Sequence, residues 1–298
     1  MLEVINLRKE FTGTIAVDDI SFSVSPGSIF GLLGPNGAGK TTTIRTILDI
    51  IKPTSGEIRF DGQPLSSEFQ NNTGYLPEER GLYKKSKVID IIKYLAELKG
   101  LSPHKAATLA VEWLKRLEIE NYKEKKLEEL SKGNQQKVQF ITALVHDPSI
   151  LILDEPFSGF DPINQQLIKD LILSLVNSGK IIILSTHQME LAEKLCSDIL
   201  LINQGKEVCS GKVNDVRKRF GTNSVKIEFS GDGSFLKSLP YVQNLDAYNN
   251  YAEIELKQDI EPSQFLHDVS SKIQLRHFSV IEPTLNRIFI DVIKKTSV

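Results

Sequence analysis

Cysteine is nearly absent: only Cys196 and Cys209 occur among 298 residues, and neither has metal-ligand spacing or a partner motif. This excludes a disulfide framework and a thiolate metal centre, and implies two inert thiols in a reducing compartment. No apolar run approaches the roughly 18 to 20 residues that cross a bilayer, and Met1-Leu2-Glu3-Val4 has no basic stretch leading into an apolar one. The chain is therefore expected neither to span a membrane nor to carry a secretion signal, so any action at a membrane needs other chains to do the crossing. An excess of one charge is also missing, since 36 Lys and Arg against 38 Asp and Glu give a formal net charge of −2. That balance speaks against nucleic acid as a partner. What is present, 40% apolar and 25% charged residues, suits an ordinary soluble protein of one large domain or two.

The most informative stretch is Gly34-Pro35-Asn36-Gly37-Ala38-Gly39-Lys40-Thr41-Thr42, which fits the phosphate-binding pattern G-x-x-x-x-G-K-[ST]. Its flanks are those the pattern requires: an apolar run, Ile29 to Leu33, before it and a helical run, Thr41 to Ile50, after it. A triphosphate needs converging backbone N–H donors, and Gly34, Gly37 and Gly39 let the main chain wrap closely enough to supply them. The helix opening at Lys40 adds its dipole. The Lys40 ammonium is expected at the β- and γ-phosphates, the Thr41 hydroxyl on Mg²⁺, and Thr42 at a further phosphate contact.

Elsewhere the pattern places candidate residues at element ends. Leu2 to Leu7 and Ile20 to Val24 alternate as half-buried strands, with Phe11 in a polar loop between them, where it either stacks on a base or anchors the core. Thr73 to Leu76 reads as a short buried strand ending at Pro77, followed by Glu78, Glu79 and Arg80, and Glu78 is a candidate to touch a metal and its water. From Lys87 to Lys126 the apolar period is helical, with Ser102-Pro103 as a cap and first residue, and these helices read as an insertion apart from the sheet. Leu130-Ser131-Lys132-Gly133-Asn134 opens another helix, either as a plain N-cap at Ser131 or as a second phosphate site. Ile150 to Leu153 is wholly apolar and closes on Asp154-Glu155, as expected of a central parallel strand whose C-terminal end faces a ligand. There Asp154 would hold Mg²⁺ through a water, while Glu155 orients or deprotonates the attacking water. Ser158 to Pro162 turns into a helix capped by Asp161, and a second buried strand, Ile181 to Leu184, leads to Ser185-Thr186-His187, with His187 a candidate sensor or transition-state donor.

In order and spacing, Gly34 to Thr42, Leu130 to Gln136, Ile150 to Glu155, Ser158 to Asp161 and His187 resemble the main motifs of ATP-binding cassette (ABC) transporter nucleotide-binding domains, over about residues 1 to 220. The resemblance implies a P-loop NTPase fold that binds ATP and Mg²⁺. It also implies head-to-tail pairing of two such domains, either as a homodimer or with a second ATPase subunit. Ser131 and Gly133 would then complete the partner's site, Phe11 would stack on adenine, and Ser158 to Asp161 would communicate across the dimer. Membrane-spanning permease subunits become the expected partners, and the inner face of the cell membrane, on the cytoplasmic side, the expected location. The sequence departs from the family pattern in two places: Glu78 stands where glutamine is usual, and L-S-G-G-Q reads Leu130-Ser131-Lys132-Gly133-Asn134. Gly74 to Tyr83, with this variant, is similar to the bacterial ATPases of sodium-efflux and drug-efflux exporters, which points to export. A soluble ABC protein of DNA repair or ribosome function is the alternative, opposed by the single cassette and the lack of a heptad run. A module that holds ATP without hydrolysing it is opposed by Glu155.

Beyond the Val213 to Phe220 helix and the Gly221-Thr222-Asn223 break the pattern changes. Strand, short helix, strand, strand, helix, strand is a ferredoxin-like order, with a hairpin at Asn249-Asn250 and a closing helix from Pro283 to Ile293. His267 and His277 lack ligand spacing and read as structural. The expected fold class is α/β: an ABC cassette at 1–220 with a helical subdomain at about 80–146, then a small α+β ferredoxin-like domain at 221–298.

Overall fold

The computed structural model describes residues 1–79, 81–220, 223–257 and 260–296, so Arg80 and the Gly221-Thr222 part of the expected break lie outside the described residues. Two compact units, Met1–Lys212 and Val213–Val298, divide the chain. That division falls before the expected boundary at 220, because the helix Val213–Arg219 belongs to the second unit.

The first unit holds strands β1 (Leu2–Phe11), β2 (Thr14–Val24), β3 (Ile29–Leu33), β4 (Ser55–Phe60), β5 (Gln63–Pro64), β6 (Thr73–Leu76), β7 (Ile150–Asp154), β8 (Ile181–Thr186), β9 (Asp198–Asn203) and β10 (Lys206–Lys212). Its helices are α1 (Lys40–Ile47), α2 (Ser67–Asn71), α3 (Val88–Leu98), α4 (Pro103–Arg116), α5 (Lys132–Leu144), α6 (Pro162–Asn177) and α7 (Met189–Leu195). One sheet runs β2-β1-β4-β5 and is antiparallel; the other runs β10-β9-β3-β8-β7-β6, parallel throughout except for β10. Strands β3, β7 and β8 are buried at every position, as expected for parallel strands covered on both faces. The core joins the two sheets: Leu2, Leu7 and Ile20 pack with Leu32, Ile152 and Ile183, and the rings of Phe22 and Phe30 stack at 4.5 Å.

Helix starts follow the cap rules. Ser102 accepts the Lys105 N–H at 3.4 Å ahead of Pro103, and Asp161 accepts that of Asn164 at 2.9 Å ahead of Pro162. Strand β1 extends further than its alternation suggests. Phe11 is not in a loop but ends β1, paired with Thr14 across a two-residue turn in which Gly13 takes φ 77°. Cys196 and Cys209 are buried thiols, not bridged by a disulfide, and burial pushes the Cys196 thiol up to about 12, which keeps it inert. No helix among the described residues is long and apolar enough to cross a membrane.

The second unit comprises α8 (Val213–Arg219), β11 (Asn223–Ser230), a 3-10 turn Ser234–Ser238, β12 (Val242–Ala247), β13 (Tyr251–Leu256), α9 (Pro262–Ser270), β14 (Gln274–Ile281) and α10 (Leu285–Thr296). Its strands form one antiparallel sheet ordered β12-β13-β11-β14, so β11 separates the two strands that flank α9, as a split β-α-β arrangement requires. The element between β11 and β12 is a 3-10 turn rather than a full helix. Val225, Ile227, Ile254, Phe265 and Val269 form this unit's own core. Phe265 is fully buried, with Phe278 and Tyr241 rings at 6.4 and 6.5 Å. Phe265→Ala is expected to destabilise this unit by about 3–5 kcal/mol. In urea titration, far-UV circular dichroism should shift more than the fluorescence of Trp113, the single tryptophan, which lies in the first unit.

Candidate functional site

At the C-terminal end of β3 the chain turns into the glycine loop, and two of its glycines are fixed by the backbone around them. Gly34 has φ 150° and Gly39 φ 110°; a Cβ would stand 2.2 Å from the Ile202 carbonyl oxygen at the first and 2.4 Å from that of Ala16 at the second. Only glycine fits either place. Gly37, at φ 78°, has open space where a Cβ would go. The β9–β10 turn clips the loop from behind: the Gly205 N–H donates to the Ala38 carbonyl at 2.9 Å, and the Gly205 carbonyl accepts the Asp18 N–H at 2.8 Å.

The loop floors a cavity of about 610 Å³. Of the residues the sequence singles out, Asn36, Gly37, Ala38, Gly39, Lys40, Thr41 and Thr42 line it, together with Glu78, Asp154 and Glu155. Gly34 and Pro35 stand behind the lining, and their carbonyls accept the Lys40 ammonium at 2.8 and 3.1 Å. Phe11, Ser131, Gly133 and His187 are not among the lining residues. Phe11 is 46% exposed with the Lys9 ammonium 4.9 Å over its ring, next to Thr14, which does line the cavity. Ser131 is the exposed N-cap of α5, accepting the Asn134 N–H at 3.3 Å. Gly133 follows in the first turn, with only the Phe160 ring within 4 Å of where its Cβ would be, at 3.9 Å.

Sequence reasoning missed Thr14, Ile15, Ala16, Gln204 and Gly205, which complete the wall. Their places depend on the pairing of distant strands; the one local signal was the turn-forming Asn203-Gln204-Gly205 after an apolar run.

Two adjacent acids close the far side. Asp154 is 1% exposed and Glu155 5%. One Asp154 oxygen accepts the Thr41 hydroxyl at 3.1 Å, and the other accepts the Ser185 hydroxyl. Burial raises the Asp154 pKa; these two hydrogen bonds oppose the rise, and neighbouring Glu155 adds to it. Glu155 takes φ 49°, and its Oε1 accepts both the His187 N–H at 2.9 Å and Nδ1 at 2.7 Å, while Oε2 accepts the Thr186 hydroxyl at 3.2 Å. A carboxylate partner places the His187 proton on Nδ1. Burial lowers the Lys40 pKa, countered by Glu155, Asp154 and Glu78 in that order. Thr41, Asp154 and Glu78 offer a hydroxyl and two carboxylates at one cavity, a set of hard oxygen donors that fits Mg²⁺ and not a soft metal.

Family models give matching results. One described as "ABC transporter" matches residues 17–158, and one described as "ATP-binding protein DrrA1-3-like, C-terminal domain" matches residues 211–293. An uncharacterised ABC transporter ATP-binding protein of Bacillus subtilis is 42% identical over 98% of this chain and 98% of its own. A Nod factor export ATP-binding protein I of Cupriavidus metallidurans is 35% identical over 72% of each chain. A solved structure described as the ATP binding subunit of an ABC transporter is 30% identical with TM-score 0.69, covering 74% of this chain and 93% of that one.

The buried Asp154 charge costs the ligand-free protein stability. Its carboxyl titrates above the ordinary value, so the cost shrinks as pH falls through the raised pKa and is gone below about 4, where the unfolded carboxyl is protonated too. Asp154→Asn is therefore expected to raise the melting temperature at pH 7 without ligand, by a margin that narrows towards pH 4; thermal unfolding across that pH range checks it.

Proposed function

Since the chain belongs to the ABC transporter ATP-binding protein family, we propose that its cavity takes ATP with Mg²⁺ and hydrolyses it to ADP and phosphate to drive separate membrane-spanning subunits. The ATP-binding role itself comes with the family. The observation that carries hydrolysis is the pair of buried acids at the mouth of the glycine loop, one bonded to Thr41 of the loop and the other to His187.

Each residue then has a task. The backbone N–H groups from Gly37 to Thr42 and the N-terminus of α1 receive the phosphates. Lys40 turns its ammonium from the Gly34 and Pro35 carbonyls to the β- and γ-phosphates, and Phe11 offers its exposed ring to adenine. Thr41, Asp154 and Glu78 would hold Mg²⁺, Asp154 through a water. When bound, the metal neutralises charge that develops on the terminal phosphate. Glu155 orients or deprotonates the attacking water, and its bonds to His187 and Thr186 fix which way its oxygens face. His187 has its Nδ1 proton committed to Glu155, so donation to the γ-phosphate from its other nitrogen requires the imidazolium.

Ser131 and Gly133 do not line the cavity of their own chain, which favours a pair of cassettes in which each signature helix completes the other's site. That pair is a homodimer or forms with a second ATPase subunit. It sits at the inner, cytoplasmic face of the cell membrane against the permease subunits, and nucleic acid has no part in it. Export, of sodium or a drug-like solute, is the direction favoured by the exporter-like sequence and by the relatives named for export.

Glu155→Gln is expected to bind ATP and to accumulate as a dimer on size-exclusion chromatography, with turnover reduced about 100-fold or more. Hydrolysis near the wild-type rate would remove Glu155 from the mechanism. For Lys40→Ala, ATP should no longer raise the melting temperature, whereas the wild type gains several degrees under the same conditions.

A further inference from the structure

We propose that Ser185 and Thr186, consecutive residues at the end of β8, are two separate positioning residues: Ser185 sets Asp154 for the metal, and Thr186 sets Glu155 for the water. The proposal rests on the roles given above to Asp154 and Glu155. Both hydroxyl residues are interior, Ser185 at 0% and Thr186 at 1% exposure. Register places Asp154 directly opposite Ser185, and the Glu155 N–H donates to the Ser185 carbonyl at 3.1 Å, so the two strand ends are tied together by backbone as well as side chains.

The case for Ser185 lies in what happens to its counterpart. Asp154 has one hydroxyl on each oxygen, from Thr41 and from Ser185. Thr41 belongs to the phosphate loop, so when its oxygen turns to a metal its bond to Asp154 is given up or redirected. Ser185 lies outside the cavity lining. Its hydroxyl stays on Asp154 throughout and holds the carboxylate plane while the other oxygen serves the metal side. Partners of this kind, one step removed from a metal, govern ligand orientation and affinity.

Glu155 repeats the arrangement. His187 supplies two of its hydrogen bonds, both to Oε1, which leaves Oε2 to another donor. Thr186 is locked in direction: its oxygen accepts the Gln188 N–H at 3.1 Å, which turns its own proton to Glu155 Oε2 at 3.2 Å. Glu155 sits at φ 49°, outside the strand conformation, so β7 alone does not aim its side chain. The Thr186 hydroxyl does. In this structure each hydroxyl donates to one carboxylate, and the two effects are therefore separable.

The test uses full-length Ser185→Ala, Thr186→Val and Thr186→Ser, each first checked for a wild-type-like melting temperature without ligand. Two quantities are then read: the Mg²⁺ concentration giving half of the ATP-induced rise in melting temperature, and the ATPase kcat and KM at saturating Mg²⁺. Ser185→Ala is expected to raise the Mg²⁺ requirement about tenfold, and Thr186→Val to lower kcat about tenfold with KM and the Mg²⁺ requirement unmoved. Thr186→Ser is expected to restore most of that kcat. An unmoved Mg²⁺ titration in Ser185→Ala, wild-type kcat in Thr186→Val, failure of Thr186→Ser to restore it, or one shared defect in both variants would overturn the division of labour. Ser185→Cys, of similar size but a weak donor, replaces Ser185→Ala if that variant does not fold, with the same two outcomes. Failure here with Glu155→Gln still inactive strikes this inference alone, whereas an active Glu155→Gln strikes the reading of the site beneath it.

Discussion

Two negative charges side by side in the protein interior are the constraint to which the rest of the cassette answers. A buried carboxylate without compensation costs several kcal/mol, on the order of the whole stability margin of a domain. Here Asp154 and Glu155 share one strand end with the interior ammonium of Lys40, two hydroxyls on the first acid, and a histidine and a third hydroxyl on the second. None of these partners is local in sequence: Lys40 and Thr41 come from the loop after β3, and Ser185 to His187 from the end of β8. The acids are tolerable only if β3, β7 and β8 lie side by side in one register. A slip of one residue would take Ser185 away from Asp154 and reverse the faces of the strand. The unbroken burial of those three strands supplies the hydrophobic driving force that holds them side by side, while the polar pairs at their ends distinguish this register from a slipped one.

The glycine loop gets its shape from the same layout. Gly34 passes against the Ile202 carbonyl of β9 and Gly39 against the Ala16 carbonyl of β2, while Gly205 clips Ala38 from the β9–β10 turn. The loop is thus held by strands of both sheets, so its shape is set by the fold itself. Preorganised donors need little rearrangement on binding, and the cost of shaping them has already been met by the fold. The Lys40 ammonium donates to the Gly34 and Pro35 carbonyls, which keeps a buried cation satisfied.

Much of this was legible in the sequence because it is written in short-range pattern. The apolar runs of β3, β7 and β8, the caps at Ser102, Ser131 and Asp161, and the alternation of the second unit's strands all follow from local periodicity and turn chemistry. Phe11 was placed in a loop because its neighbours are polar; a two-residue turn at Thr12-Gly13 instead carries β1 straight through it. Thr14 and Ala16 give no signal, and Gln204 and Gly205 only the turn chemistry of Asn203-Gln204-Gly205, because their place on the cavity wall depends on pairing between strands far apart in the chain. A nucleotide-binding role for Ser131 and Gly133 comes only from resemblance, since neither lines the cavity of its own chain.

The unusual Glu78 gains a physical setting from the same geometry. It lines the cavity on the loop after β6, and the carbonyls on either side of it, Pro77 and Glu79, accept the Gln139 side-chain amide of α5 at 3.1 and 3.0 Å. Ser131 caps helix α5, so one buried side chain couples the loop that carries Glu78 to the helix that carries Gly133 in its first turn. A glutamine at position 78 would bring a neutral group that both donates and accepts; Glu78 brings a third negative charge near Lys40, and a group that only accepts when ionised. Such a cavity holds more negative charge before nucleotide arrives and has more to gain from a divalent cation. A carboxylate at position 78 therefore favours a cation over a hydrogen-bond acceptor as its partner, on the loop that Gln139 ties to α5.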